Sequence, residues 1–195
     1  MELYIARHGE TEFNHQRRIQ GSGKDSPLTP KGITQAISLG QQLENINFDA
    51  VYCSPLGRAV STIENAFGGK YTPIFDERIV EIGLGVFEGL TWFETREKYP
   101  NVSVSYPITN PTAYIPPPEG EGLPCMLKRV NSFLDDILAK HQGQKVFVLT
   151  HGFTLCVFYA CIIDKDIATI ASAPTYGNCQ IAKYTHTNGE WRAFA

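Results

Sequence analysis

Arg7, His8 and Gly9 follow a short apolar run, Leu3 to Ala6, close to the start of the chain. Arginine is a permanent planar cation that matches phosphate oxygens, and histidine is a nucleophile near neutral pH. A glycine there lets the backbone turn sharply and lets a bulky anion come close. The tripeptide reads as a place to hold a phosphate and attack it. Alone it carries little weight, because an Arg-His-Gly after a strand is often only a turn with a surface salt bridge. The arrangement returns, however. The run from Lys145 ends in Thr150-His151-Gly152, again an apolar stretch, one polar residue and a His-Gly pair. Arg58 follows a third apolar run, Phe48 to Cys53, and Glu81 and Glu88 lie in a glycine-punctuated stretch from Arg78 to Gly89. An isolated arginine at a helix start is commonly a surface residue; its place after a strand end is what gives Arg58 meaning. Neither carboxylate is singled out by spacing, and a loop carboxylate is more often a solvated charge than an acid.

These groups meet only if the elements put them together. Runs of four to six apolar residues bounded by Gly or Pro suit buried strands, and ligands of open α/β sheets bind at the carboxyl ends of such strands. Two His-Gly pairs ending parallel strands would face one crevice, with Arg7, His8, Arg58 and His151 around one phosphoryl group. Residues entering helices after them, as at Gly152, would add N–H donors for an anion. Thr29-Pro30 starts a helix to about Glu44, with Ile33, Ala36, Ile37, Gly40 and Leu43 at helical spacing. Leu56 to Phe67 is helical, closed by Gly68-Gly69. Thr91 with Glu94 forms a capping box for a helix to Tyr99, and helical spacing resumes from Met126 to Leu138. Ile74-Phe75 reads as a short strand, and Asn188-Gly189 joins two C-terminal strands as a hairpin. The proline-rich segment from Pro100 to Pro118, with Tyr106 and Tyr114, reads as an ordered lid whose tyrosines are candidates for stacking on a substrate ring or for surface packing.

The 195 residues fit one domain, 1–195, with 43% hydrophobic and 19% charged residues, the composition of a soluble globular chain. A net charge of −3 argues against non-specific nucleic-acid binding, so an anion site has to be built locally. The five cysteines are odd in number and none has C-x-x-C spacing, which suggests neither a zinc site nor a disulfide framework and suits a reducing cytoplasm. The start of the chain lacks a basic n-region, and the apolar run Phe153 to Ile163 is too short to span a bilayer. Oligomeric state is not readable.

Arg7 to Thr11 (R-H-G-E-T), Asn14, Arg18 to Gly21 and Asp25 to Gly32 together resemble the histidine phosphatase superfamily, in the branch that contains phosphoglycerate mutases, α-ribazole-phosphate phosphatase and broad-specificity phosphatases. The resemblance continues through Ser54 to Ala59, Glu81, Pro118 to Glu121, Thr150 to Gly152 and Asn178, in order along nearly the whole chain. It implies a three-layer α/β/α sandwich around a mostly parallel sheet. It implies His8 as nucleophile, Arg7, Arg58, His151 and Gly152 around the phosphoryl oxygens, and Asn14 as a further ligand. Gln20 and Gly21 would reach the substrate, and Glu81 would serve as proton donor and acceptor. It implies no metal and no other cofactor, since two arginines supply the charge. Two departures, a longer loop at Gly21 to Asp25 and Gly122 in place of a serine, bear on specificity. The expected activity is hydrolysis of a small phosphorylated metabolite. Phosphoglycerate mutase activity and a phosphate-binding module without catalysis are the alternatives.

Overall fold

Strand alternation divides the core into two. In β1 (Glu2–Arg7), Leu3 and Ile5 join one hydrophobic cluster and Tyr4 and Ala6 the other. β2 (Ala50–Cys53) sends Ala50 and Tyr52 one way and Val51 and Cys53 the other, and β4 (Lys145–Thr150) does the same with Val146 and Val148 against Phe147 and Leu149. Runs that looked uniformly apolar are therefore strands buried on both faces, the signature of a sheet covered by helices on each side. The computed structural model describes residues 1–102 and 107–194. With β3 (Ile74–Phe75), β5 (Ile181–Thr187) and β6 (Glu190–Phe194), the sheet has the order β3-β2-β4-β1-β5-β6. β3, β2, β4 and β1 run parallel, and β5 and β6 are antiparallel additions. The fold is the expected α/β sandwich with a mostly parallel sheet.

Among the described residues six α-helices accompany it: α1 (Glu12–His15), α2 (Pro30–Gln42), α3 (Gly57–Phe67), α4 (Trp92–Lys98), α5 (Leu123–Lys140) and α6 (Gly152–Ile163). The pair α2 and α3 covers one face and the pair α5 and α6 the other. Local chemistry sets their limits. Thr29 Oγ1 accepts the Gly32 N–H at the start of α2, Thr91 and Glu94 form the reciprocal capping box of α4, and Gly68 ends α3 in the left-handed region. The inward stripe of α2 is Gly32, Ala36, Leu39 and Leu43, while Ile33 and Ile37 are 38% and 46% exposed, contrary to the apolar face expected of them. No helix among the described residues is long and apolar enough to cross a membrane. The cysteines are all unpaired; burial pushes the thiols of Cys53, Cys156, Cys161 and Cys179 up to about 12, so they are inert packing groups.

Apart from α4, the described residues between 76 and 102 and between 107 and 122 are mostly irregular, with short 3₁₀ turns at Glu77–Ile79, Gly85–Phe87 and Pro111–Ala113. Tyr114 packs against the larger core cluster, which favours the packing alternative for it; Tyr106 lies outside the described residues.

Candidate active site

β1 and β4 are neighbours, and Arg7 pairs in register with Thr150, so the two His-Gly pairs leave adjacent parallel strands side by side. The His8 and His151 rings stand 5.3 Å apart, centroid to centroid. A cavity of about 150 Å³ opens there, with Arg7, His8, Asn14, Gln20, Gly21, Arg58 and Glu81 in its wall. His151 and Gly152 are not part of that wall: His151 lies wholly buried against the His8 ring. Gly152 leaves room for Arg7, whose Nε is 3.2 Å from where a Cβ would stand.

His8 is held by its own loop. Its Nδ1 is 2.7 Å from the Gly9 carbonyl oxygen, and a carbonyl only accepts, so the ring hydrogen is on Nδ1 and Nε2 carries the lone pair. Burial holds the imidazole well below the ordinary histidine range, and the cations of Arg58 and Arg7 hold it lower still. The imidazole is therefore neutral, with its lone pair on Nε2. Gly9 is small for a reason other than the one expected: a Cβ there would lie 2.6 Å from the Gly32 carbonyl of α2, so the helix backbone, and not an anion, takes the space.

The two arginines are positioned by carbonyls and one carboxylate. Arg7 donates from Nη1 to the Tyr176 carbonyl at 3.0 Å. Arg58, in the first turn of α3 and only 2% exposed, donates to the Gly21 carbonyl at 2.7 Å, the Lys24 carbonyl at 3.3 Å and Asp25 Oδ1 at 2.9 Å. Asp25 also accepts the Arg58 backbone N–H through Oδ2. The long Gly21 to Asp25 loop is thus the cradle of Arg58, and Asp25 is a partner of that arginine which the sequence did not disclose. Asn14 Oδ1 accepts from the Thr11 N–H and from Asn178 Nδ2, while its own Nδ2 makes no hydrogen bond among the described residues. Gln20 Nε2 donates to Thr11 Oγ1 at 2.6 Å, and its buried Oε1 has no partner among the described residues.

The two loop carboxylates separate cleanly. Glu88 accepts the N–H groups of Ser22, Gly23 and Leu84 and is a loop clamp. Glu81 lies in the cavity wall, at the N-terminus of α6: Oε2 accepts from Phe153 N–H at 3.1 Å, and Oε1 from Thr154 N–H at 3.1 Å and Thr154 Oγ1 at 3.0 Å. Those helix donors were expected to meet a substrate anion; the protein's own carboxylate takes them instead. Arg129 of α5 fixes the adjoining backbone by donating to the carbonyls of Arg78, Val80 and Glu81. Among the described residues no cluster of metal-ligating side chains is present.

The chain is similar to known proteins along its length. The family described as "Histidine phosphatase superfamily (branch 1)" matches residues 3–194. The chain is 32% identical to the probable phosphoglycerate mutase GpmB of Citrobacter koseri over 99% of this chain and 88% of that protein. Among solved structures, Bacillus stearothermophilus YhfR superposes with a TM-score of 0.88 at 35% identity, covering 98% of this chain and 94% of that one. A mutant phosphoserine phosphatase of Entamoeba histolytica, in complex with phosphoserine, superposes with a TM-score of 0.83 at 26% identity, covering 100% and 95%. With the match running almost end to end, the chain belongs to the histidine phosphatase superfamily, branch 1.

Proposed function

We propose that this protein is a metal-independent phosphomonoesterase of small phosphorylated metabolites, working through a phosphohistidine on Nε2 of His8. The observation that carries the reading is the 2.7 Å bond between His8 Nδ1 and the Gly9 carbonyl, which leaves Nε2 unprotonated in a cavity shared with the guanidinium groups of Arg7 and Arg58 and the Glu81 carboxylate. In the first half-reaction Nε2 attacks phosphorus, the bond from phosphorus to the ester oxygen breaks, and Glu81 gives that oxygen a proton. In the second, water attacks the phosphohistidine, the nitrogen–phosphorus bond breaks, and Glu81 takes the water's proton. Arg7 and Arg58 neutralise charge on the transferring group throughout, the part a metal ion plays elsewhere.

The rest of the described cavity lining favours hydrolysis over the mutase alternative. It is made of Arg18, Ile19, Ile82, Leu84, Trp92, Pro107 and Phe153, so the proline-rich segment contributes through Pro107. Beyond Arg7 and Arg58 the cation in the described wall is Arg18, which is already engaged by Glu94 at 2.9 Å and the Gly89 carbonyl at 2.8 Å. A mutase has to bind a carboxylate and a second phosphate as well, and that wall offers little for them. Relatives named as phosphatases support the same choice; those named as probable phosphoglycerate mutases keep the other reading in the test.

Phosphate release from p-nitrophenyl phosphate and a metabolite panel, in EDTA, is expected from the wild type and not from His8→Ala. Interconversion of 2- and 3-phosphoglycerate, dependent on 2,3-bisphosphoglycerate and faster than phosphate release, would make the protein a mutase.

A further inference from the structure

Beside His8, His151 Nε2 lies 2.7 Å from Ser54 Oγ, and both residues are wholly buried. Ser54 follows β2, and among the described residues its hydroxyl has one other hydrogen-bond neighbour, the Leu56 N–H at 3.4 Å, which can only donate. His151 Nδ1 is buried with no hydrogen-bond partner among the described residues. Two proton arrangements of the neutral ring are open. With the hydrogen on Nε2, His151 donates to Ser54; the serine proton then has no acceptor and the Nδ1 lone pair has no donor. With Ser54 donating to Nε2, the ring hydrogen is on Nδ1 and one group alone is unmet, an N–H beside the imidazole that receives the phosphoryl group. Buried polar groups are paired wherever they can be.

We infer that Ser54 is a positioning residue that donates to His151 Nε2 and fixes the ring as the Nδ1–H tautomer, a neutral donor held beside the His8 imidazole that receives the phosphoryl group in the proposed reaction. The inference deepens the reading above and rests on it for the ligand that Nδ1–H meets. The surroundings agree with a neutral ring. Burial first, then the positive charges of Arg58, Arg7 and Arg129, hold His151 well below the ordinary histidine range. The positive charge at the phosphate then comes from the two arginines, and His151 contributes an oriented hydrogen bond.

Long-range proton–nitrogen NMR of the full-length, histidine-¹⁵N-labelled protein reads the tautomer directly, with the His151 signals assigned by their loss in His151→Gln. The wild type, near neutral pH, should show a protonated Nδ1 and a lone-pair Nε2 at His151. Ser54→Ala should lose that preference and lower kcat/KM about tenfold, the order of one lost hydrogen bond, with the His8 tautomer unchanged. Ser54→Thr, which keeps the hydroxyl, should restore both. A wild-type ring protonated on Nε2 or on both nitrogens would overturn the inference, as would a Ser54→Ala protein with the same tautomer. Full phosphatase activity beside an Nε2–H tautomer refutes the inference alone. An Nδ1–H tautomer that Ser54→Ala abolishes, in a protein without phosphatase activity, upholds the proton assignment and refutes the phosphatase reading.

Discussion

In the proposed reaction Glu81 is the residue on which the two half-reactions turn, and its place at the N-terminus of α6 makes a specific expectation. Glu81→Gln keeps the shape but gives Phe153 and Thr154 an amide whose NH₂ cannot accept, and it removes the group that exchanges protons. Turnover should fall by about 10²–10⁴, the usual worth of general acid–base catalysis. The loss should depend on the leaving group. p-Nitrophenolate departs without a proton, so the variant should release a burst of it close to one per enzyme and then stall as phosphohistidine, whereas alkyl phosphates should be slow from the first turnover. Rapid-quench kinetics with both substrates test this. Equal losses for the two, with no burst, would take Glu81 out of proton transfer.

At the scale of elements, the loop after α1 matters more than its length suggests. Glu88 binds the N–H groups of Ser22 and Gly23, and the same loop delivers the Gly21 and Lys24 carbonyls and Asp25 to Arg58. Glu88→Ala therefore strands three N–H donors and frees the cradle of Arg58, a phosphate ligand in the proposed reaction, while touching no substrate itself. Its expected effect is a KM for phosphate esters, and an inhibition constant for inorganic phosphate, raised about tenfold, with a stability loss of about 1–3 kcal/mol by thermal or urea unfolding. An unchanged KM would mean that Arg58 keeps its place without the clamp. This loop also marks the limit of what the sequence disclosed. The strands, the capped helices at Thr29 and Thr91 and the two His-Gly pairs are local patterns, and they stand where the spacing put them. What separates Glu81 from Glu88 is a bond across more than sixty residues to Ser22 in one case and the start of α6 in the other, and no local pattern encodes either. Likewise Ile33 and Ile37 satisfy helical spacing, yet the crossing of α2 over the sheet selects the neighbouring stripe, and Ser54 reads as a strand stop until His151 is seen beside it.

The whole molecule brings two arginines and two histidines to the carboxyl end of one sheet, with His8, Arg58 and His151 at 3%, 2% and 0% exposure. Such a site opposes protonation, and folding stability must register that. Both histidines have folded values well below the ordinary one, about 6.5 in the unfolded chain. Below that pH the unfolded state binds two protons that the folded state refuses. Their contribution to stability is therefore complete above about pH 6.5 and is lost as pH falls toward the folded values, by up to about 1.4 kcal/mol per pH unit for each ring. Urea unfolding at intervals from pH 7.5 to 5.5 should show this slope, and His8→Asn, which removes one of the two titrating rings, should reduce their joint contribution by roughly half. Inorganic phosphate should flatten it further, because an anion among these groups stabilises the folded state by mass action and offsets the charge that a protonated ring would meet. A slope the same in the wild type, in His8→Asn and in the His8→Asn, His151→Asn double variant would mean that other carboxyl and imidazole groups set the acid limit, and that the cationic site is tolerated at no cost to the fold.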